Sequence, residues 1–294
     1  MLEAVTRFRD MTQPLSPSRL VSAAAGLGLA LLVLAGAAPP AAAQGGKLDA
    51  HYIASLGGIP VGKGSWMIEV NGNRYSASAQ GGTIGLLKLF ASGEGSSSVR
   101  GNLAGGQPAM AAYASTLKTD RKTDMVKLLV NGGAVKDVNV SPPLEPDDER
   151  VPVTEAHRRG ITDPMTASLV RVPPNLSMMG PDACRNAAIF DGRARYDLYL
   201  AYKRMDHVKA EKGYDGPVVV CSVQFKPVAG FILSRTAVKY LISQRDMEVW
   251  LAPMAGTRVM VPYRVSVPTP IGLAVLEATD FVSTVQAASN EKGQ

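Results

Sequence analysis

The chain has 294 residues and a net charge of +6. A hydrophobic share of 46% against a charged share of 19% excludes a disordered polar chain, and the basic residues are too spread to form a nucleic-acid footprint. Three histidines, His51, His157 and His207, are too few and too scattered for a metal centre, and no cofactor signature is present.

The first predicted element is a secretory signal peptide over residues 1–43. Arg7, Arg9 and Arg19 precede an uncharged apolar run, residues 20–36. Pro39-Pro40 ends it, and Ala41-Ala42-Ala43 supplies the small residues a signal peptidase reads. Cleavage after Ala43 would place a soluble product in the periplasm. No cysteine follows the apolar run, which excludes a lipoprotein anchor.

Residues 44–286 then read as one β-rich domain. Leu48, Ala50, Tyr52, Ala54 and Leu56 alternate with Asp49, His51, Ile53 and Ser55, as a half-buried strand requires. Alternation resumes over 63–70, Asn71-Gly72-Asn73 makes a hairpin turn, and 74–80 runs back. Residues 83–90 are too continuously apolar for a one-sided strand and read as a short helix or hydrophobic wedge carrying Leu86, Leu87 and Phe90. Residues 94–100 alternate small side chains like an edge strand. Strands are expected over 108–118, 123–130 and 134–140, the last two joined by Asn131-Gly132-Gly133. Residues 141–162 hold four prolines and the acidic stretch 145–149, and read as a long surface loop. Asp163-Pro164 caps a short helix over 164–171. Further strands are expected over 189–208, 217–226, 247–252, 258–267 and 272–282, with a helix over 232–243 and a disordered tail over 287–294. The fold class is mainly β: a curved, largely antiparallel meander forming an incomplete or half-open barrel with two or three short helices.

Several motifs of the second half carry a resemblance. Asp163-Pro164-Met165-Thr166-Ala167 precedes Cys184, and Phe190-Asp191-Gly192-Arg193-Ala194-Arg195-Tyr196-Asp197-Leu198 follows. The segment from Cys221 to Gly230, Glu248–Pro253 and Val261-Pro262 complete the pattern, with Tyr52, Gly57-Gly58 and Val61-Gly62 early on. Over residues 48–282 the chain resembles domain-of-unknown-function family 3108, exported bacterial proteins without an established activity. The resemblance implies a curved antiparallel sheet and brings no catalytic residues.

The side-chain chemistry offers three candidates. Cys184 and Cys221 are the only cysteines, and export favours one disulfide, worth about 3–4 kcal/mol for the loop it closes. It would tie the proline-rich loop 172–186 to the strand 217–226. Leu86, Leu87, Phe90, Met178 and Met179 are candidate ligand contacts, because methionine is adaptable and a half-open barrel has a concave apolar face to cover. Asp191, Arg193, Arg195 and Asp197 form a candidate polar cluster, either a binding or acid/base site or a structural turn with a salt-bridged face. No Gly-x-Ser-x-Gly elbow or phosphate loop exists. The expected function is therefore non-enzymatic binding of an apolar or amphipathic envelope component. The alternatives are a structural or interaction protein of the envelope docking through loops 141–162 and 172–186, and a carboxylate-based cell-wall hydrolase using Asp191 and Asp197. The partners these readings imply are a lipid, an envelope glycan or a membrane-associated envelope protein.

Overall fold

A computed structural model describes residues 45–85, 92–104 and 107–286. The expected signal peptide, Leu86, Leu87, Phe90 and the expected tail 287–294 lie outside the described residues.

Seven strands make the first meander: β1 (Gly45–Leu56), β2 (Ile59–Asn71), β3 (Arg74–Thr83), β4 (Gly93–Ala104), β5 (Gln107–Thr119), β6 (Thr123–Asn131) and β7 (Ala134–Ser141). Their patterning follows the sequence. In β1, Leu48, Ala50 and Tyr52 are buried while Asp49 and His51 are exposed. Gly72 and Gly132 turn their hairpins at φ of 56° and 58°, a region closed to most side chains.

A largely irregular stretch follows, holding the short helix α1 (Pro164–Ser168) and the two-residue β8 (Val170–Arg171). The second half supplies β9 (Ala187–Phe190), β10 (Arg195–Lys209), β11 (Lys212–Gly213), β12 (Asp215–Ala229), the helix α2 (Thr236–Ser243), β13 (Met247–Pro253), β14 (Val259–Thr269) and β15 (Gly272–Gln286). All strands join one 15-stranded sheet, ordered β7-β6-β5-β4-β3-β2-β1-β15-β14-β13-β12-β10-β9, with β11 on β15 and β8 on β14. Every pairing except β11 with β15 is antiparallel. The curled sheet does not close, because its edges β7 and β9 are not paired with each other.

The main core fills the curl, with Leu48, Ile68, Tyr75, Val99, Val218, Tyr263 and Phe281 among its members. A second cluster holds Val172, Ala183, Val219, Cys221, Leu251 and Met260. Val218 and Val219 are successive strand residues, so the two clusters lie on opposite faces of β12. Valines 218–220 and Cys221 are all fully buried, which explains their continuous apolar run. The Cys184–Cys221 disulfide is formed, with Cα atoms 5.7 Å apart. It holds the loop 172–184 against the outer face of β12–β14.

Four expectations are corrected. The strand at 94–100 is internal, paired with both β3 and β5. Its small side chains mark a thin sheet wall, not an edge. The strand expected over 189–208 is broken by a turn at 191–194. The first helix stops at Ser168, because residues 170–171 pair with β14. The second begins at Thr236, because Ile232 is buried and bridged to Arg150 instead.

Candidate functional site: a cleft beside the barrel seam

The gap between β7 and β9 is crossed by residues the sequence marked as a surface loop. Arg159 bridges to Ala134 at the start of β7, and Ile161 N–H donates to Gly133 O at 3.0 Å. On the other side Thr162 N–H donates to Ala188 O at 2.9 Å, and Phe190 N–H donates back to Thr162 O at 3.0 Å. Segment 159–162 is thus a short tie between the two edges. Ile161 is accordingly buried, which corrects the expectation that 141–162 lies wholly on the surface.

The polar cluster locks the same seam. Asp191 Oδ1 accepts the backbone N–H of Arg193 at 2.8 Å and of Ala194 at 2.7 Å, which fixes the β9–β10 turn. That turn aims Arg193 across the gap. Its Nη2 donates to Asp124 Oδ1 at 3.2 Å on β6, and to Ser141 O and Pro142 O at the end of β7. Arg195 donates from Nε to Asp197 Oδ1 at 2.9 Å and from Nη1 to the carbonyls of His157 and Arg159, at 3.4 and 3.1 Å. Gly192 is required here. Its φ is 95°, and a Cβ would run into Val126 Cγ1 on β6. All four residues of the cluster therefore have structural work at the seam.

Beside the seam lies an open cleft of about 750 Å³. One wall is the thin part of β3–β5, where Ala79, Gly81, Ser97 and Ser115 leave space that larger side chains would fill. The other wall carries Arg150, Asp191, Arg193, Tyr196 and Arg235. Burial pushes the Tyr196 hydroxyl well above the ordinary tyrosine range, and the nearby Asp191 adds to this, so the phenol is a neutral donor. Asp191 lines the cleft and Asp197 does not. Both carboxylates are engaged by their own turn and strand, the opposite of a facing acid/base pair.

A second cavity of about 300 Å³ meets the first at Ala79, Gln80 and Gly81. Its floor is the registered glycine pair Gly64 and Gly81, with Gly62 and Gly82 beside it. Its walls are apolar: Tyr52, Trp66, Pro262 and Leu276. The Tyr52 hydroxyl donates to Pro262 O at 2.8 Å and ties β1 to β14. Trp66 Nε1 is buried and, among the described residues, meets no hydrogen-bond acceptor. A buried indole N–H is costly to leave unpaired, which makes Trp66 a candidate donor to a bound group.

The methionine candidates sit elsewhere. Met178 and Met179 are half-buried in the second cluster under the disulfide-held loop, and neither lines either cavity. Among the described residues no group of His, Cys, Asp and Glu is arranged to hold a metal ion.

Residues 49–279 match the family described as Protein of unknown function (DUF3108). The chain belongs to this family. No curated relative matches this DUF3108 member. Among solved structures it is similar to a beta-barrel-like protein of domain of unknown function DUF1849 from Brucella abortus, at 10% identity and a TM-score of 0.48, over 81% of this chain and 98% of that one.

Trp66, Arg150 and Arg235 were not singled out by sequence reasoning. One signal was present: glycines at 62, 64, 81 and 82 in otherwise alternating strands mark a wall without side chains.

Proposed function

We propose that the chain is exported to the periplasm through a cleaved signal peptide and there binds, without catalysis, an amphipathic molecule of the cell envelope. The observation that carries this reading is the joined pair of cavities. A glycine-floored apolar cavity, lined by Trp66 whose indole N–H meets no acceptor among the described residues, runs into a polar cleft with Arg150, Arg235 and Tyr196 on its wall. The apolar part suits a hydrocarbon chain, and the polar part suits a headgroup. Export is supported by the arginine-flanked apolar run at the start of the sequence and by the disulfide, a bond that persists in oxidising compartments. Among the described residues no helix is long and apolar enough to cross a membrane.

The interaction-protein alternative receives less support. Residues 159–162 of the first docking loop are taken up in the seam, and the second loop packs under the disulfide.

The test is native mass spectrometry of protein purified without detergent, followed by organic extraction and by titration with a soluble fatty acid. The expected result is a bound lipid-sized mass and saturable uptake. Ala79→Leu, which fills the junction of both cavities, should weaken uptake at least about tenfold with the fold retained. Protein that emerges empty and takes up no amphiphile overturns the reading.

A further inference from the structure

Two turns at one end of the sheet present isoleucines to solvent. The β1–β2 turn carries Ile59, 67% exposed, and the β14–β15 turn carries Ile271, 76% exposed; these are the two most exposed large hydrophobic residues among those described. The turns touch. Gly57 N–H donates to Leu273 O at 3.0 Å, and a Cβ on Gly272 would lie 3.1 Å from Gly57 Cα. Thr269 fixes the second turn from within, its hydroxyl donating to Gly272 O at 2.6 Å. Pro60, Pro268 and Pro270 further limit both. The pair is therefore a rigid, preformed apolar tip, with Leu273 half exposed beside it.

Within the two turns themselves the charge is one-sided. Residues 56–63 and 266–273 contain no carboxylate, and their only charged side chain is the exposed Lys63. The register places the β5–β6 turn, with exposed Lys118, Asp120, Arg121 and Lys122, at the same end of the sheet, and exposed Glu94 opposite Lys118. The apolar cavity lies directly behind the tip, lined by Ala54, Gly62, Lys63 and Leu276. An isolated exposed isoleucine needs no explanation. Two on touching, proline-stiffened turns, without carboxylates, at the lip of an apolar cavity do.

We propose that this tip docks the protein on a lipid bilayer, with Ile59 and Ile271 entering the interface and Lys63 meeting anionic headgroups. The bilayer is the occupant that fits, because apolar and cationic side chains partition into its interface while carboxylates are repelled by anionic lipid. Docking there places the cavity mouth against the membrane, so an amphiphile passes between bilayer and cavity without crossing water. Only this last consequence rests on the amphiphile-binding reading; the docking itself does not.

The experiment is co-sedimentation of the purified protein with phosphatidylcholine vesicles, with and without phosphatidylglycerol, in parallel with uptake of a soluble fatty acid. Wild type should sediment with vesicles, more strongly when phosphatidylglycerol is present and less at high salt. Ile59→Asp and Ile271→Asp should each cut vesicle binding at least about tenfold while fatty-acid uptake and thermal stability stay unchanged. Ile271→Trp should keep binding and shift its emission to the blue on vesicles. No vesicle binding by wild type overturns the proposal. So does a dimer in size-exclusion chromatography that Ile271→Asp abolishes, since the tip is then a contact between copies. Vesicle binding without fatty-acid uptake leaves the docking tip standing and overturns the cavity reading instead.

Discussion

Arg193 donates to Asp124 across 69 residues of sequence, reaching from the β9–β10 turn to β6 at a distance of 3.2 Å. Both side chains are mostly buried, at 22% and 17% exposure, and Asp124 is shared with Lys122 at 2.9 Å. The same guanidinium serves two carbonyls at the end of β7, so its removal leaves several acceptors without a donor. Arg193→Met, which keeps the side chain's length and apolar stem, should cost about 1–3 kcal/mol. Urea denaturation measures the loss, and hydrogen exchange should show it concentrated in β7 and β9. Unchanged protection at both edges would mean the pair is ornamental to the seam.

Gly192→Ala strains the same turn in two ways, through its positive φ and through contact with Val126. The expected loss is about 1–3 kcal/mol. The steric share is separable. Val126→Ala should destabilise wild type but cost less, or nothing, in the Gly192→Ala background. Strict additivity in that double-mutant cycle would show that the turn and β6 do not press on one another.

Cys184→Ala should destabilise by about 3–4 kcal/mol in the chain-entropy estimate. Loop 172–184 should then become open to proteases while β1–β7 keep their exchange protection. The check is denaturation with and without reductant. Coincident midpoints for oxidised and reduced wild type would contradict it.

Glu248 gives a pH dependence with a definite sign. Burial pushes its carboxyl up, but hydrogen bonds from Arg204, Lys203 and the Trp250 indole outweigh that and hold it down at about 2. Arg204 and Arg264 flank the Trp250 ring at 5.2 and 5.0 Å, so the carboxylate anchors a stacked group. A carboxyl depressed in the folded state stabilises fully above its ordinary value, and that stabilisation drains away as the pH falls from there toward 2. Wild type should therefore lose stability between about pH 4.5 and 2 more steeply than Glu248→Gln. Trp250 emission should report the change. Parallel slopes for the two proteins would show that the carboxylate is not coupled to folding.

The local elements were legible because local rules determine them. Asn71-Gly72-Asn73 and Asn131-Gly132-Gly133 specify hairpins within four or five residues, and alternation in β1 states which face is buried. The disulfide was legible too, since the chain's two cysteines leave one pairing. The seam was not. Arg193 meets Asp124 only after the whole sheet has curled, and nothing in Arg193-Ala194-Arg195 says whether its charges face a ligand or another strand. Residues 141–162 misled for a related reason. Their prolines and acids deny them regular structure, but three of them still carry backbone hydrogen bonds between the two edges. Met178 and Met179 are as compatible with packing as with binding, and only the fold decides.

The pairing of β1 with β15 sets Gly45 directly opposite Gln286. The two ends of the described domain therefore lie side by side in the middle of an unbroken run of strands, while the physical break falls in the middle of the chain. Covalent order and spatial order are offset by about half a turn. A circular permutant that joins these ends by a short linker and opens at the acidic stretch near Asp147 would convert the domain into a single sequential meander whose new termini flank the gap. It would trade the longest-range strand pairing for a local hairpin, and folding faster than the parent is the kinetic signature to look for.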